Sequence, residues 1–372
     1  MATVYLHIGA PKTATSTLQL ILAKNARRLA KSGVLYPSDC RHGDAHHTLV
    51  CDLMAETMQE SMSDHWYGSV PRGEAWSLFS QELAAQSKPI ESVIVSSELF
   101  FAQGKNLTRA FDTILRRLQG HQVRIVVYLR RQDQLFSSFY NQDIKGMRRW
   151  PHSAYQFYQT HRLFEYGYYS MLQWWAAVFG AENLIVRPYD SSQWPDGSIV
   201  KDFCQTTGII ALSGESIEHN ESLGAVQLYF KRCLNRVGYD PALNEEVLNA
   251  LCTIIPEDSM KGCRYINAKS YSRYRDQWQD DNLRVEQAYL GGQALFTQPI
   301  PEAREVHYYQ VDRFSAAPCV FQVHDALSNG RHREFRQLFS RAALLLLGEL
   351  SVWNAVDAHS RSELLDWATN VD

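Results

Sequence analysis

Apolar positions along this chain change period several times, and the changes mark out elements. Val4 to Ile8 is a short apolar run with a β-branched start that stops at Gly9-Ala10-Pro11. Leu18, Leu22, Ala26 and Leu29 follow at helical spacing, so the segment predicts strand, tight loop, helix. Further strands are predicted at Ser92 to Ser97 and at Gln122 to Leu129, with a helix over Thr108 to Leu118 between them. Gln122 to Leu129 ends in a nearly continuous apolar run, as a parallel strand covered on both faces requires. An aromatic helix over Tyr168 to Phe179 leads to a strand at Asn183 to Arg187, ended by Pro188. Strands alternating with helices predict an α/β, three-layer core with a central parallel sheet over residues 1–210.

Beyond Gly208 the pattern turns helical, at Leu223 to Leu234, Leu243 to Ile255 and Tyr274 to Leu290. After a Ser, Asn and Gly-containing loop near Ala326 to Gly330, Phe335 to Val352 repeats the helical spacing. Residues 211–372 are therefore expected to be a helical extension packed on the core, in one integrated domain. No internal repeat or low-complexity tract interrupts this order.

Composition narrows the class. With 372 residues, 45% apolar and 21% charged, the chain can bury a full core and is neither disordered nor a coiled-coil rod. The formal charge of -3 gives no global field for nucleic acid or an anionic membrane, so any anion site is local. Seven cysteines, odd in number and never in a CxxC pair, argue against a disulfide framework and a cysteine zinc knuckle. The first residues lack a basic n-region and a long apolar run, and the longest apolar stretch, Ala342 to Leu347, cannot span a bilayer. A cytoplasmic protein without a membrane span is the expectation. Oligomeric state leaves no mark, since buried and interface stripes look alike in sequence.

Candidate chemistry concentrates at the first loop. His7-Ile8-Gly9-Ala10-Pro11-Lys12-Thr13-Ala14-Thr15-Ser16-Thr17 places a lysine and four hydroxyl residues between a strand and a helix start. Free backbone N–H groups at such a turn, with the positive end of the helix dipole behind them, form a nest for a phosphate. The spacing is not that of the Walker A loop, because position six from Gly9 is Ala14 and the lysine comes three residues early. Helix capping by the hydroxyl residues is the competing structural reading.

This loop resembles the 5′-phosphosulfate loop of sulfotransferases that use 3′-phosphoadenosine 5′-phosphosulfate, Pro-Lys-(Ser/Thr)-Gly-Thr-(Thr/Ser). Pro11, Lys12, Thr13, Thr15 and Ser16 agree with it, and Ala14 stands where glycine is usual. The resemblance implies that Pro11, Lys12, Thr13, Ala14, Thr15, Ser16 and Thr17 bind the donor nucleotide. It also implies that Lys12 contacts the sulfonate and bridging oxygen; no metal is expected, because a sulfonate carries less charge than a phosphoryl group and cationic side chains can meet it.

A second element follows in the expected order. Val126 to Leu129 ends in Arg130-Arg131, and Ser138 lies eight residues after Arg130 on the next helix, ahead of Phe139 and Tyr140. An arginine at a strand end and a hydroxyl in the following helix can converge on one anion. In the same family this pattern binds the 3′-phosphate, so Arg130 and Ser138 inherit that role by resemblance, with Arg131 instead of or beside Arg130. A solvated Arg-Arg strand end is the structural alternative.

Between the two, Val93-Ile94-Val95-Ser96-Ser97-Glu98 delivers a carboxylate to a strand end. Sulfuryl transfer to an alcohol needs a base for the hydroxyl proton, and in the family this strand end carries it, so Glu98 is implied as that base. Capping of the next helix is its plain alternative. His46 and His47, in a polar loop entering a helix, are candidates to touch the acceptor or assist in acid–base work. His7 reads as a satisfied strand histidine, and His42, Asp44 and His46 as a chance metal spacing.

Asn141, Gln142 and Lys145 are candidate acceptor-binding residues, and Lys145, Arg148 and Arg149 could attract an acidic glycan, with a solvated basic turn as the favoured structural alternative. The aromatic density of Trp150 to Trp175 offers sugar-stacking surfaces or, as aromatics at helical spacing more often do, core. The stretch around Arg275 to Leu290 is similar to the carboxy-terminal helical part of bacterial carbohydrate-type sulfotransferases, with Asn282 its one suspect polar residue. The resulting expectation is sulfonate transfer to a hydroxyl acceptor, with carbohydrate favoured. A kinase with an atypical phosphate loop and a non-catalytic nucleotide-binding protein are the alternatives.

Overall fold

The computed structural model describes residues 1–161, 163–210, 212, 222–237, 241–254, 265, 267–305 and 337. Its centre is a five-stranded sheet in the order β2-β3-β1-β4-β5, formed by β1 (Thr3–His7), β2 (Val34–Leu35), β3 (Ser92–Ser96), β4 (Gln122–Leu129) and β5 (Leu184–Pro188). All pairings are parallel, and β1 runs between β3 and β4 with Tyr5 opposite Ile94 on one side and Arg124 on the other. The chain is thus an α/β protein with a parallel sheet, as its sequence pattern predicts.

Side chains alternate across the strands, and each face has its own cover. Tyr5, Ile94, Val126 and Tyr128 pack against α1 (Thr15–Lys24), α2 (Ala26–Lys31) and α10 (Ile199–Thr207), through Leu18, Ile21, Leu22, Leu29, Ile199, Val200 and Phe203. Val4, Leu6, Val93, Val95, Ile125 and Val127 point the other way and are equally buried. On that side α9 (Leu163–Phe179) lies against β4 and β5, and Trp175 packs its ring edge on Phe100. Burial on both faces is why these strands read as apolar runs.

The remaining helices are α3 (His47–Met58), α4 (Ala75–Ala84), α5 (Leu99–Ala102), α6 (Phe111–Arg117), α7 (Gln132–Lys145), α8 (Ala154–Thr160), α11 (Ala225–Val237), α12 (Asn244–Ile254) and α13 (Ala268–Tyr289). The helix expected over Thr108 to Leu118 is divided into a 3₁₀ turn, Gly104–Ala110, and α6. The aromatic helix starts earlier than expected and kinks at Gly167, whose φ of 72° and ψ of 165° are not helical. The helix expected over Phe335 to Val352 lies outside the described residues.

Two compact units divide the chain. Met1–Gln132, His161–Glu218 and Asp276–Ile300 form the unit that holds the sheet. Asp133–Thr160, His219–Arg275 and Pro301–Asp372 form the other, in which Leu228, Phe230, Leu234, Val247 and Leu251 are buried and Tyr158 stacks on Tyr274. Residues 133–160 therefore group with the later helices and not with the sheet that precedes them. No helix among the described residues is long and apolar enough to cross a membrane.

Candidate active site

Three adjacent strands end at one edge of the sheet, and each end carries a predicted residue. β1 runs into the Gly9 to Ala14 loop, β3 into Ser97 and Glu98, and β4 into Arg130. In a parallel sheet this carboxyl edge, where the strand order turns about β1, is the place for a ligand.

The loop has the backbone a cradle needs. Lys12 and Ala14 have φ of 66° and 56°, left-handed values that side chains other than glycine rarely take. Ala14 therefore adopts a left-handed conformation that glycine supplies most readily. Gly9 has a φ of 35°, and a Cβ there would lie 2.4 Å from Thr15 Cγ2, so the close turn admits no side chain. Ala10 N–H bonds the Tyr128 carbonyl at 3.3 Å and Thr13 Oγ1 donates to the Ala10 carbonyl at 2.5 Å, fixing the loop from below and within. Thr13 and Thr15 are buried and Ser16 is exposed. α1 begins at Thr15 without a side-chain cap, so its first N–H groups remain available to an anion.

Arg130 joins this loop directly. Its Nη1 donates to the Lys12 carbonyl at 3.0 Å, and its guanidinium lies 5.3 Å from the centre of the Tyr189 ring. Tyr168 donates to the Arg130 carbonyl at 2.6 Å, and the Asp281 carboxylate in turn accepts from the Tyr168 and Tyr169 N–H groups beyond the Gly167 kink. Arg131 turns elsewhere and donates to the Pro299 carbonyl at 3.1 Å. Of the two arginines, Arg130 is the one at the loop.

Glu98 occupies the cap position of α5 but makes no capping bond, so helix capping does not explain it. Its Oε2 accepts from Gln19 Nε2 at 2.9 Å, and His47 Nε2 stands 3.9 Å from its Oε1. Gln19 also donates to Ser96 Oγ at 3.3 Å. That hydroxyl is also hydrogen-bonded to His7 Nδ1 at 2.8 Å. His7 Nε2 is buried, has no hydrogen-bond partner among the described residues, and lies 3.4 Å from where a Gly9 Cβ would sit. Burial lowers the His7 pKa to about 4, so this ring is neutral beneath the loop, with one nitrogen bonded to Ser96 as expected of a strand histidine and the other not.

The two histidines of the polar loop separate. His46 is fully buried, its Nδ1 accepting from Ser96 N–H at 3.1 Å and its Nε2 donating to the Pro37 carbonyl at 3.0 Å. Burial pushes its pKa down to about 3. Both nitrogens are committed to backbone, so His46 ties β3 to the preceding loop and touches no acceptor. His47 is the histidine at Glu98.

The other candidates lie in the second unit. Ser138 is half-buried on α7. Asn141 is buried, with its amide donating to the Leu223 carbonyl at 2.7 Å and accepting from Leu223 N–H at 3.1 Å, a structural task that uses both ends. Gln142 is exposed and Lys145 half-buried, its pKa lowered by burial. Arg148 pairs with Asp143 at 2.8 Å. Most of the aromatic segment is packing: Phe157, Tyr158, Tyr168 and Trp175 are buried. Asn282 exchanges hydrogen bonds with Gln132 at 2.6 and 3.2 Å, both residues belonging to the sheet unit.

Sequence reasoning did not find Gln19, Ser96 or Ser97. Gln19 had a signal, a polar residue beside Leu18 on the apolar face of the first helix. The serines had none, because a strand-end serine is unremarkable until its partners are known.

No known protein family profile matches the chain. Over 221 residues it is 27% identical to an uncharacterized protein of Archaeoglobus fulgidus, covering 59% of this chain and 58% of that protein. The chain thus spans little more than half the length of this relative. It is also similar to a crystal structure of a sulfotransferase from Alicyclobacillus acidocaldarius, at 14% identity and a TM-score of 0.41, over 77% of this chain and 95% of that one.

Proposed function

We propose that this protein is a sulfotransferase that moves the sulfonate of 3′-phosphoadenosine 5′-phosphosulfate to a hydroxyl acceptor. The observation that carries the reading is the convergence of the Lys12 loop, Glu98 and Arg130 on the ends of β1, β3 and β4, with Arg130 bonded to the Lys12 carbonyl. The residues present fit the donor nucleotide. The glycine turn leaves room only for backbone, the α1 N-terminus is uncapped, and the His7 Nε2 beneath the loop has no partner among the described residues.

In this reading the loop amides and hydroxyls hold the 5′-phosphate and Arg130 holds the 3′-phosphate. Glu98 accepts the proton of the acceptor hydroxyl as that oxygen bonds to sulfur and the bond from sulfur to the leaving phosphate oxygen breaks. The Lys12 ammonium offsets charge on the departing oxygen. The acceptor class proposed is carbohydrate, from the resemblance. Buried free thiols at Cys40, Cys51 and Cys204 support a reducing, cytoplasmic setting.

Calorimetry with adenosine 3′,5′-bisphosphate and with ATP, each with and without magnesium, tests the donor site. Metal-independent binding of the bisphosphate, weakened in Lys12→Ala and Arg130→Ala, is the expected result. A magnesium-dependent preference for ATP would replace the reading with a kinase.

A further inference from the structure

The Glu98 carboxylate is approached by side chains from two different helices. Gln19, on α1, donates to Oε2 at 2.9 Å. Because a carboxylate only accepts, this contact also fixes which end of the Gln19 amide faces it. His47, the first residue of α3, brings Nε2 to 3.9 Å from Oε1.

The tautomer of His47 follows from its other neighbour. Ser97 is fully buried, and its Oγ accepts from Leu99 N–H at 3.3 Å. The remaining group at that oxygen is His47 Nδ1, 2.8 Å away. A buried hydroxyl proton needs an acceptor, so the Ser97 O–H donates to Nδ1. The ring is then protonated at Nε2, the atom that faces Glu98. Trp66 packs its ring edge on the imidazole at 5.1 Å and limits its rotation.

We propose that Gln19 and His47 are positioning residues that bracket the Glu98 carboxylate, one at each oxygen, with Ser97 setting the histidine tautomer. That Glu98 is the acid–base group rests on the function proposed above. The Glu98 side chain is 24% exposed, so without a bracket its carboxylate would rotate freely about χ3. Gln19 pins Oε2. At 3.9 Å His47 is too far for a full hydrogen bond, so it orients Oε1 while leaving that oxygen open to an incoming hydroxyl. Gln19 also lies one turn beyond Thr15 on the same helix, so the anion cradle and the Glu98 carboxylate are referenced to one rigid element. Burial lowers the His47 pKa, Glu98 opposes that shift and His42 adds to it.

Histidine-selective ¹⁵N NMR tests the bracket without nucleotide, the His47 signals being assigned by their loss in His47→Gln. In the wild type at pH 7.5 the expected tautomer is Nε2–H. Glu98→Gln and Gln19→Leu are each expected to displace the His47 Nε2 resonance by more than a linewidth, and Ser97→Ala to populate the Nδ1–H form. An Nδ1–H tautomer in the wild type, or an Nε2 resonance that neither Glu98→Gln nor Gln19→Leu moves, overturns the proposal. Failure of bisphosphate binding would instead remove the donor reading and leave these resonances as they are.

Discussion

Ala14 holds a left-handed backbone with a Cβ attached, at a cost of about 1–2 kcal/mol, partly offset because alanine restrains the unfolded chain more than glycine does. Ala14→Gly is therefore expected to stabilise the protein by about 0.5–1 kcal/mol in urea unfolding, with the loop geometry kept. Gly9 is the opposite case. Gly9→Ala would bring a methyl against Thr15 Cγ2 in a turn that already has positive φ, with an expected loss of about 2 kcal/mol and of bisphosphate binding. Thr15→Ser removes the opposing methyl, so the double variant should recover part of both losses, and a strictly additive result would show that the two groups do not meet. At this scale the sequence indicated position, placing Lys12, Glu98 and Arg130 at the ends of three strands, where the structure has them. It was silent where a residue matters through its partner: nothing in Asp-Ala-His-His-Thr tells which histidine will be committed to backbone and which will face a carboxylate.

Elements were legible in proportion to their length and periodicity. β1, β3, β4 and β5 were each placed within about two residues by an apolar run and a breaker. β2 is only Val34–Leu35, too short for any period to show, and it was missed. The kink in α9 was missed for a different reason. Gly167 interrupts the helix because Asp281, more than a hundred positions later, caps the segment that restarts at Tyr168. A Cβ at Gly167 would lie 2.7 Å from Asp281 Oδ1, so helix restart and cap are fitted to each other. The cap has a reach beyond stability, since Tyr168 bonds the Arg130 carbonyl. Asp281→Ala is expected to cost about 1–2 kcal/mol and to weaken bisphosphate binding as well. Urea unfolding and calorimetry on the same variant check both, and a stability loss with unaltered binding would confine Asp281 to the helix.

At the scale of the whole molecule, two buried neutral histidines contribute to the response to acid. His7 and His46 have pKa values lowered to about 4 and about 3 by burial, against an ordinary 6.5 in the unfolded chain. Below pH 6.5 the unfolded chain binds protons that the folded chain does not, so stability is full above that pH and falls as pH drops towards the folded values. Each ring contributes about 1.4 kcal/mol per pH unit in that window. Urea unfolding between pH 6.5 and 5 should show this slope, reduced by about one proton in His46→Gln, and an unchanged slope would mean that His46 is already charged in the fold. The hydrogen bond from Arg130 to the Lys12 carbonyl has its own bearing at this scale. It joins the jaws of a caliper: the guanidinium and the loop sit at a separation set by β1 and β4, before any ligand arrives. In the donor reading proposed above, a nucleotide would be graded by the distance between its two phosphates, and one that carries the second phosphate on the neighbouring ribose hydroxyl would arrive with the wrong gauge.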